Sequence, residues 1–202
     1  GWLASMPSSP QTSSTSTDVE AIVHACLEGP TASLATEAKG RVEAYVRELL
    51  RYNERTNVYS KSAYQHLPFH VQDSVALGQH IAADARSGGG VLDLGSGSGL
   101  PSVVLACVMP DRPVFAIESK SRKTRFLERA AAVLELPLFV PLTSDVNELS
   151  RRSYFDVDHV TAKAFKPLPE VGPIGERCIL HDARLLVPIC DLPKLSWMSS
   201  WK

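Results

Sequence analysis

From position 90 onward, short apolar runs alternate with amphipathic stretches, and the repeat of apolar positions switches between two and 3.6 residues. This pattern predicts strands over 91–94, 113–118, 138–142, 155–161 and 183–187, with helices over 100–109, 121–135 and near 146–150. Strands alternating with helices build a parallel sheet covered on both faces. Ahead of position 90 the clear periods are helical. Thr17-Asp18-Val19-Glu20 has capping-box spacing before Val19, Ile22, Val23, Cys26 and Leu27, and Gly29-Pro30 stops that helix. Val42, Tyr45, Val46, Leu49 and Leu50 then recur at i, i+3, i+4, i+7 and i+8 as one stripe, with Arg47, Arg51 and Arg55 along its edge. The expected fold class is α/β: a helical cap over 18–87 and an α/β core over 88–202, together one domain.

The first 17 residues are rich in Ser and Thr and lack both charge and apolar period, so they are expected to be disordered. The chain starts with Gly, which suggests a fragment or processed product, and the Ser-rich lead is similar to the end of an organelle transit peptide without its arginines. The other end carries a second expectation. After Pro188, residues 189–202 hold Pro193, Trp197 and Trp201 but no alternating run long enough for two strands and a turn.

Composition narrows the class. With 202 residues the chain can bury a real core. Four cysteines without a C-x-x-C pair argue against structural zinc or a disulfide framework and for a reducing compartment. The longest apolar run, Val103 to Met109, falls far short of the roughly 20 residues a membrane helix needs. A net charge of −1 means that any nucleic-acid contact must be local. The strongest candidate is the 121–135 helix, where Lys120, Arg122, Lys123, Arg125 and Arg129 face a single acid, Glu128.

The candidate chemistry sits at the end of the first strand. Val91-Leu92-Asp93-Leu94 runs into Gly95-Ser96-Gly97-Ser98-Gly99, a turn stripped of side chains, and a helix is expected to open at Leu100-Pro101. A second strand ends in Glu118, placed to accept ribose hydroxyls. A dinucleotide fingerprint would need a third glycine at position 100, where this chain has Leu, so an NAD-dependent oxidoreductase is the weaker alternative. The loop instead reads D-x-G-x-G-x-G, the first motif of S-adenosyl-L-methionine (SAM) methyltransferases.

Over positions 40 to 188 the sequence resembles the RsmG (GidB) methyltransferases. Tyr52-Asn53 with Asn57 matches the family's W-N-x-x-x-N, and His70 with Asp73-Ser74 its H-x-x-D-S. Leu92 to Pro101 matches D-V-G-T-G-P-G-L-P, and Glu118-Ser119 stands for D-S. Lys123 with Phe126-Leu127, Val146-Asn147-Glu148, Phe155-Asp156, and Lys163-Ala164-Phe165 complete the set. There are departures: Ser98 for Pro, Ser102 for Gly, Asn147 for Glu, Phe69 for Arg, Asp145 for a basic residue, and Lys163 for Arg, which gives up the planar fork.

The resemblance implies a Rossmann-like SAM-dependent sheet whose C-terminal strand pair this chain does not supply, which leaves the edge of strand 183–187 bare. The chain is therefore expected to be truncated, aggregation-prone and inactive at this length unless the tail folds back and its tryptophans cover that edge. It implies methylation of N7 of a guanine in small-subunit (16S) rRNA by a monomer without membrane contact. The location it implies is bacterial cytoplasm, or an organelle for a nuclear-encoded eukaryotic protein. Cofactor contacts fall on Asp93, Gly95, Gly97, Leu100, Glu118, Val146, Asn147 and Lys163, and RNA contacts on Arg122, Lys123, Arg125 and Arg129. No metal is implied, and Lys163 is the one candidate for a catalytic role. For His70 and Asp73 the sequence favours packing and helix capping. Guanine N7 already has a free lone pair, so positioning, worth roughly 7–11 kcal/mol, can replace a general base. An inactive RNA-binding relative is the main rival.

Overall fold

The computed structural model describes residues 15–84, 88–152, 154–163, 168–179, 183–188 and 197–199. Three helices come first: α1 (Thr15–Cys26), α2 (Thr36–Asn53) and α3 (Leu67–Ala83). Single 3₁₀ segments, Gly29–Ser33 and Lys61–His66, lie between them. The core then runs β1 (Gly90–Leu94), α4 (Ser102–Val108), β2 (Val114–Glu118), α5 (Ser121–Val133), β3 (Phe139–Thr143), α6 (Val146–Arg152), β4 (Val157–Ala162), α7 (Leu168–Cys178), β5 (Arg184–Pro188) and β6 (Trp197–Ser199).

The sheet order is β3-β2-β1-β4-β5-β6, parallel through β5. The alternation of side chains along each strand divides the interior in two. Val91, Val114 and Ala116 point into one cluster with Phe126, Leu127 and Ala130 of α5 and Val103 to Cys107 of α4. Leu92, Leu94 and Ile117 point into the other, with Leu149 of α6 and Ile174 and Cys178 of α7. Both faces are covered, as a parallel sheet requires. The cap belongs to the first cluster: Val42, Tyr45, Val46 and Leu49 of α2 and Val71, Val75 and Ile81 of α3 are fully buried there.

Several boundaries differ from the expectation. α1 opens at Thr15, inside the stretch expected to be disordered, so Thr17 is not its cap; residues 1–14 lie outside the described ones. The Leu100–Pro101 peptide is cis, and α4 begins only at Ser102, so Pro101 precedes the helix instead of sitting in its first turn. His70, Asp73 and Ser74 lie inside α3, where the Ser74 hydroxyl donates to the His70 carbonyl at 2.7 Å; neither Asp73 nor Ser74 caps a helix. The edge of β5 is not bare: the tail folds back onto it, the alternative that the sequence left open. β6 runs antiparallel to β5, with Leu186 opposite Ser199 and Pro188 opposite Trp197. Ala164, Phe165 and Trp201 lie outside the described residues.

Candidate functional site

The strand order reverses at β1, whose neighbours are β2 on one side and β4 on the other. A ligand of an open α/β sheet binds in the crevice outside the strand ends at such a switch point. Here that position is occupied by the glycine loop after β1 and by Lys163 immediately after β4.

The loop is held by its neighbours. The Gly99 amide donates to the Ser96 carbonyl at 2.9 Å, and the Ser96 amide to the Ile117 carbonyl at 2.9 Å. Gly97 (φ 56°) and Gly99 (φ 100°) are both in the region that side-chain-bearing residues avoid. They are glycines for different reasons. A Cβ at Gly99 would stand 2.5 Å from Val103 Cγ2, whereas one at Gly97 would meet no atom within 4 Å and would project into open space. The Tyr45 hydroxyl of α2, fully buried, donates to the Ser98 carbonyl at 2.6 Å and so ties the cap to the loop.

Two carboxylates flank this turn and are held differently. Asp93 is 1% exposed, and its oxygens accept from Thr161 Oγ1 at 2.6 Å and Ser96 Oγ at 2.7 Å. Burial pushes its pKa up to about 6 against the lowering pull of those two hydroxyls and of Lys163. Asp93 therefore braces β1 against β4 from within. Glu118, at the end of β2, accepts from the Gly97 amide at 3.0 Å and from the Lys120 amide at 2.7 Å. Each of its oxygens keeps a lone pair for a further donor.

A cavity of about 430 Å³ lies over this side of the loop, with Gly95, Gly97, Glu118, Val146 and Asn147 in its wall. A second, of about 260 Å³, continues past Gly95 and Gly97 to Leu100, His70 and Lys163. The two form one elongated cleft across the glycine turn. At its far end Lys163 Nζ lies 2.5 Å from His70 Nδ1. Burial, with the Lys163 and His66 charges, pushes His70 down to about 4, so the ring is neutral and accepts from the ammonium. Burial also lowers Lys163 to about 8, while Asp73 and Asp93 pull the other way.

Seven of the eight residues expected at a cofactor therefore line the cleft, and the eighth, Asp93, lies beneath it. The expected RNA residues separate. Lys123 lines both halves of the cleft, and Arg122 and Lys123 line a third cavity described below. Arg129 instead bonds Glu48 Oε1 at 2.5 Å, with Arg51 on the other oxygen, so it ties α5 to a buried carboxylate of α2. Tyr45 and Thr161 escaped the sequence reading. Tyr45 sits in the apolar stripe of α2, which already explained it, and Thr161 is a polar residue near the end of β4 with no local signal of its bond to Asp93.

The chain is similar to known proteins over most of its length. A model of the family described as rRNA small subunit methyltransferase G matches residues 38–187. A ribosomal RNA small subunit methyltransferase G of Novosphingobium aromaticivorans is 34% identical over 73% of this chain and 63% of its own length. One from a Bradyrhizobium species is 34% identical over 76% and 68%. The chain thus spans about two thirds of the length of the curated relatives it matches. Among solved structures, a SAM-dependent O-methyltransferase of Thermotoga maritima superposes with a TM-score of 0.50 at 18% identity, over 75% of this chain and 51% of that one, a likeness of fold. A glycine turn and acid at the sheet's switch point, under a match that takes in cap and core alike, place the chain in the GidB family.

Proposed function

We propose that this protein transfers a methyl group from SAM to N7 of a guanine in small-subunit rRNA. SAM fits the cleft on observations made at its walls. The open space over Gly97 admits a ligand against bare backbone, Glu118 offers free lone pairs to ribose hydroxyls, and Val146 and Asn147 border the same end. Lys163 at the other end supplies a cation for a carboxylate. When bound, SAM contributes an electrophilic methyl group on a sulfonium.

The observation that carries the choice of target atom is the chemistry of the reacting end. Among the described residues, the titratable groups lining it are Tyr59, His70, Lys123 and Lys163, with no carboxylate among them. His70 spends its Nδ1 lone pair on Lys163, burial raises the Tyr59 hydroxyl to about 12, and Lys163, although lowered to about 8, is still mostly the ammonium that makes this bond at neutral pH. An exocyclic amine or a ribose hydroxyl would need a group to take its proton. Guanine N7 needs none, so the walls have only to orient the base.

The test is methyl transfer from labelled SAM to small ribosomal subunits that lack the modification, followed by borohydride and aniline scission, which marks N7-methylguanosine. Transfer to an amine or ribose would overturn the proposal. At saturating SAM, the single-turnover rate should be nearly flat from roughly pH 6.5 to 8.5, where a required general base would give a limb at its pKa.

A further inference from the structure

The third cavity, of about 610 Å³, lies between the end of α2, the segment leading into the Lys61–His66 turn, and the first turn of α5. It is within the size range of ligand pockets, and it is not isolated. Val58, Tyr59, Ser60 and Lys123 line both this cavity and the reacting end of the cleft, so the two adjoin along that strip.

Its wall is built in advance. Asn53, 2% exposed, accepts from the Val58 and Tyr59 amides at 2.8 and 2.9 Å and donates to the Tyr59 carbonyl and the Tyr64 hydroxyl at 2.8 and 2.6 Å. Tyr59 and Tyr64 stack at 6.1 Å between ring centroids. Those contacts fix the Val58-Tyr59-Ser60 strip that separates the two cavities.

The charge of the cavity is distinctive. Arg55, Lys61, Arg122 and Lys123 line it against a single acid, Glu54. Among the described residues, none of these four cations makes an ion pair. On the adjoining surface Arg47 is tied to Glu20 and Glu43, and both Arg51 and Arg129 are tied to Glu48. Cations left unneutralised around a concavity that opens onto a methyl-transfer cleft suit a phosphodiester chain carrying one exposed base.

We infer that this cavity receives the target nucleotide of the RNA, turned out of its stack, with Arg55, Lys61 and Arg122 on the flanking phosphates and the base passing Tyr59 and Ser60 toward Lys163. The inference rests on the proposed function and deepens it. Extruding a base costs a few kcal/mol unless it is already unstacked. Contacts to the adjacent phosphates are the chain's means of offsetting that cost.

Two variants test it, each assayed for RNA binding, SAM binding and methyl transfer to unmodified small ribosomal subunits. Reversing two cations (Lys61→Glu with Arg122→Glu) should weaken subunit binding by roughly tenfold or more and flatten its salt dependence by about 0.7 per lost contact. SAM affinity by calorimetry should stay unchanged, which also reports that the variant is folded. Ser60→Trp keeps the cations and blocks the passage, so RNA should still bind while methyl transfer is lost. Wild-type protein that binds subunits, together with a charge-reversal variant of unchanged salt slope, or full transfer by Ser60→Trp, overturns the inference. Wild-type protein that binds SAM but transfers nothing to any RNA overturns the proposed function beneath it.

Discussion

Asp93→Asn should leave the protein at least as stable at neutral pH, although it alters the most buried acid of the site. The carboxylate is fully enclosed, and burial raises its pKa from an ordinary 3.8 to about 6. At about 1.4 kcal/mol per pKa unit, ionising it in the fold costs about 3 kcal/mol more than in the unfolded chain. For an acid raised in this way, the favourable contribution is complete below pH 3.8 and is lost as pH climbs through about 6. Asparagine keeps the geometry. Its carbonyl can accept from Thr161, and its amide can donate to the Ser96 hydroxyl, the two partners that now sit at 2.6 and 2.7 Å. Urea unfolding of both proteins across this range should give similar midpoints near pH 4. At pH 7 the variant should lead by up to about 3 kcal/mol, with equal m-values. A variant that is less stable at pH 7 than at pH 4, relative to wild type, would show that the ionised carboxylate is wanted by the fold, and the argument from burial would fail.

The two loop glycines should respond differently. Gly99→Ala drives a Cβ onto Val103 in a left-handed backbone and should lower stability by about 1–3 kcal/mol in thermal unfolding. Gly97→Ala meets no protein atom, so it should cost about 1 kcal/mol of backbone strain while weakening SAM binding by more than its stability loss explains. Because Lys163 titrates near 8, SAM affinity should fall as pH rises through that value and its ammonium discharges; Lys163→Arg should remove this limb, and a limb that persists would show that another group binds the carboxylate. Arg129→Ala should destabilise the fold more than Arg125→Ala, because it leaves the buried Glu48 with Arg51 alone; equal denaturation midpoints would return Arg129 to the role of a free surface cation.

The switch from helical to alternating period at position 90 was readable because β1, β2, β3 and β5 are short, largely apolar runs set off from helical stretches. The glycine turn was readable for a related reason: glycine at three alternate positions, Gly95, Gly97 and Gly99, directly after a strand has few structural uses. What stayed hidden was hidden physically. α7 contains Pro169 and Pro173 with Gly172 and Gly175, which lower helix propensity below what any pattern can rescue. β6 is three residues long, too short to show a period, and it exists because β5 offers it an edge. Within the site, charge misled. Asp93 has the residue type of a ligand contact, and nothing in the sequence signals that its oxygens are bonded to Thr161 and Ser96 beneath the cleft. Arg129 shares a helix with Arg122 and Lys123, yet it points to Glu48, an acid 81 positions earlier that no local reading connects to it.

The bond between Tyr45 and Ser98 bears on how the chain is made. Translation delivers α1 to α3 first, and their apolar stripe has its permanent partners in α4 and α5, encoded well downstream. Until those segments leave the ribosome, Val42, Tyr45, Val46 and Leu49 lack the part of their native cover that α4 and α5 supply, and only the other cap helices are there to pack on them. The cap is thus an early-born element with a late-born partner, the circumstance in which a nascent chain leans on chaperones or forms non-native clusters. Its helices can lock into place only when the sheet's first strands arrive, and the same event completes the wall of the cofactor turn.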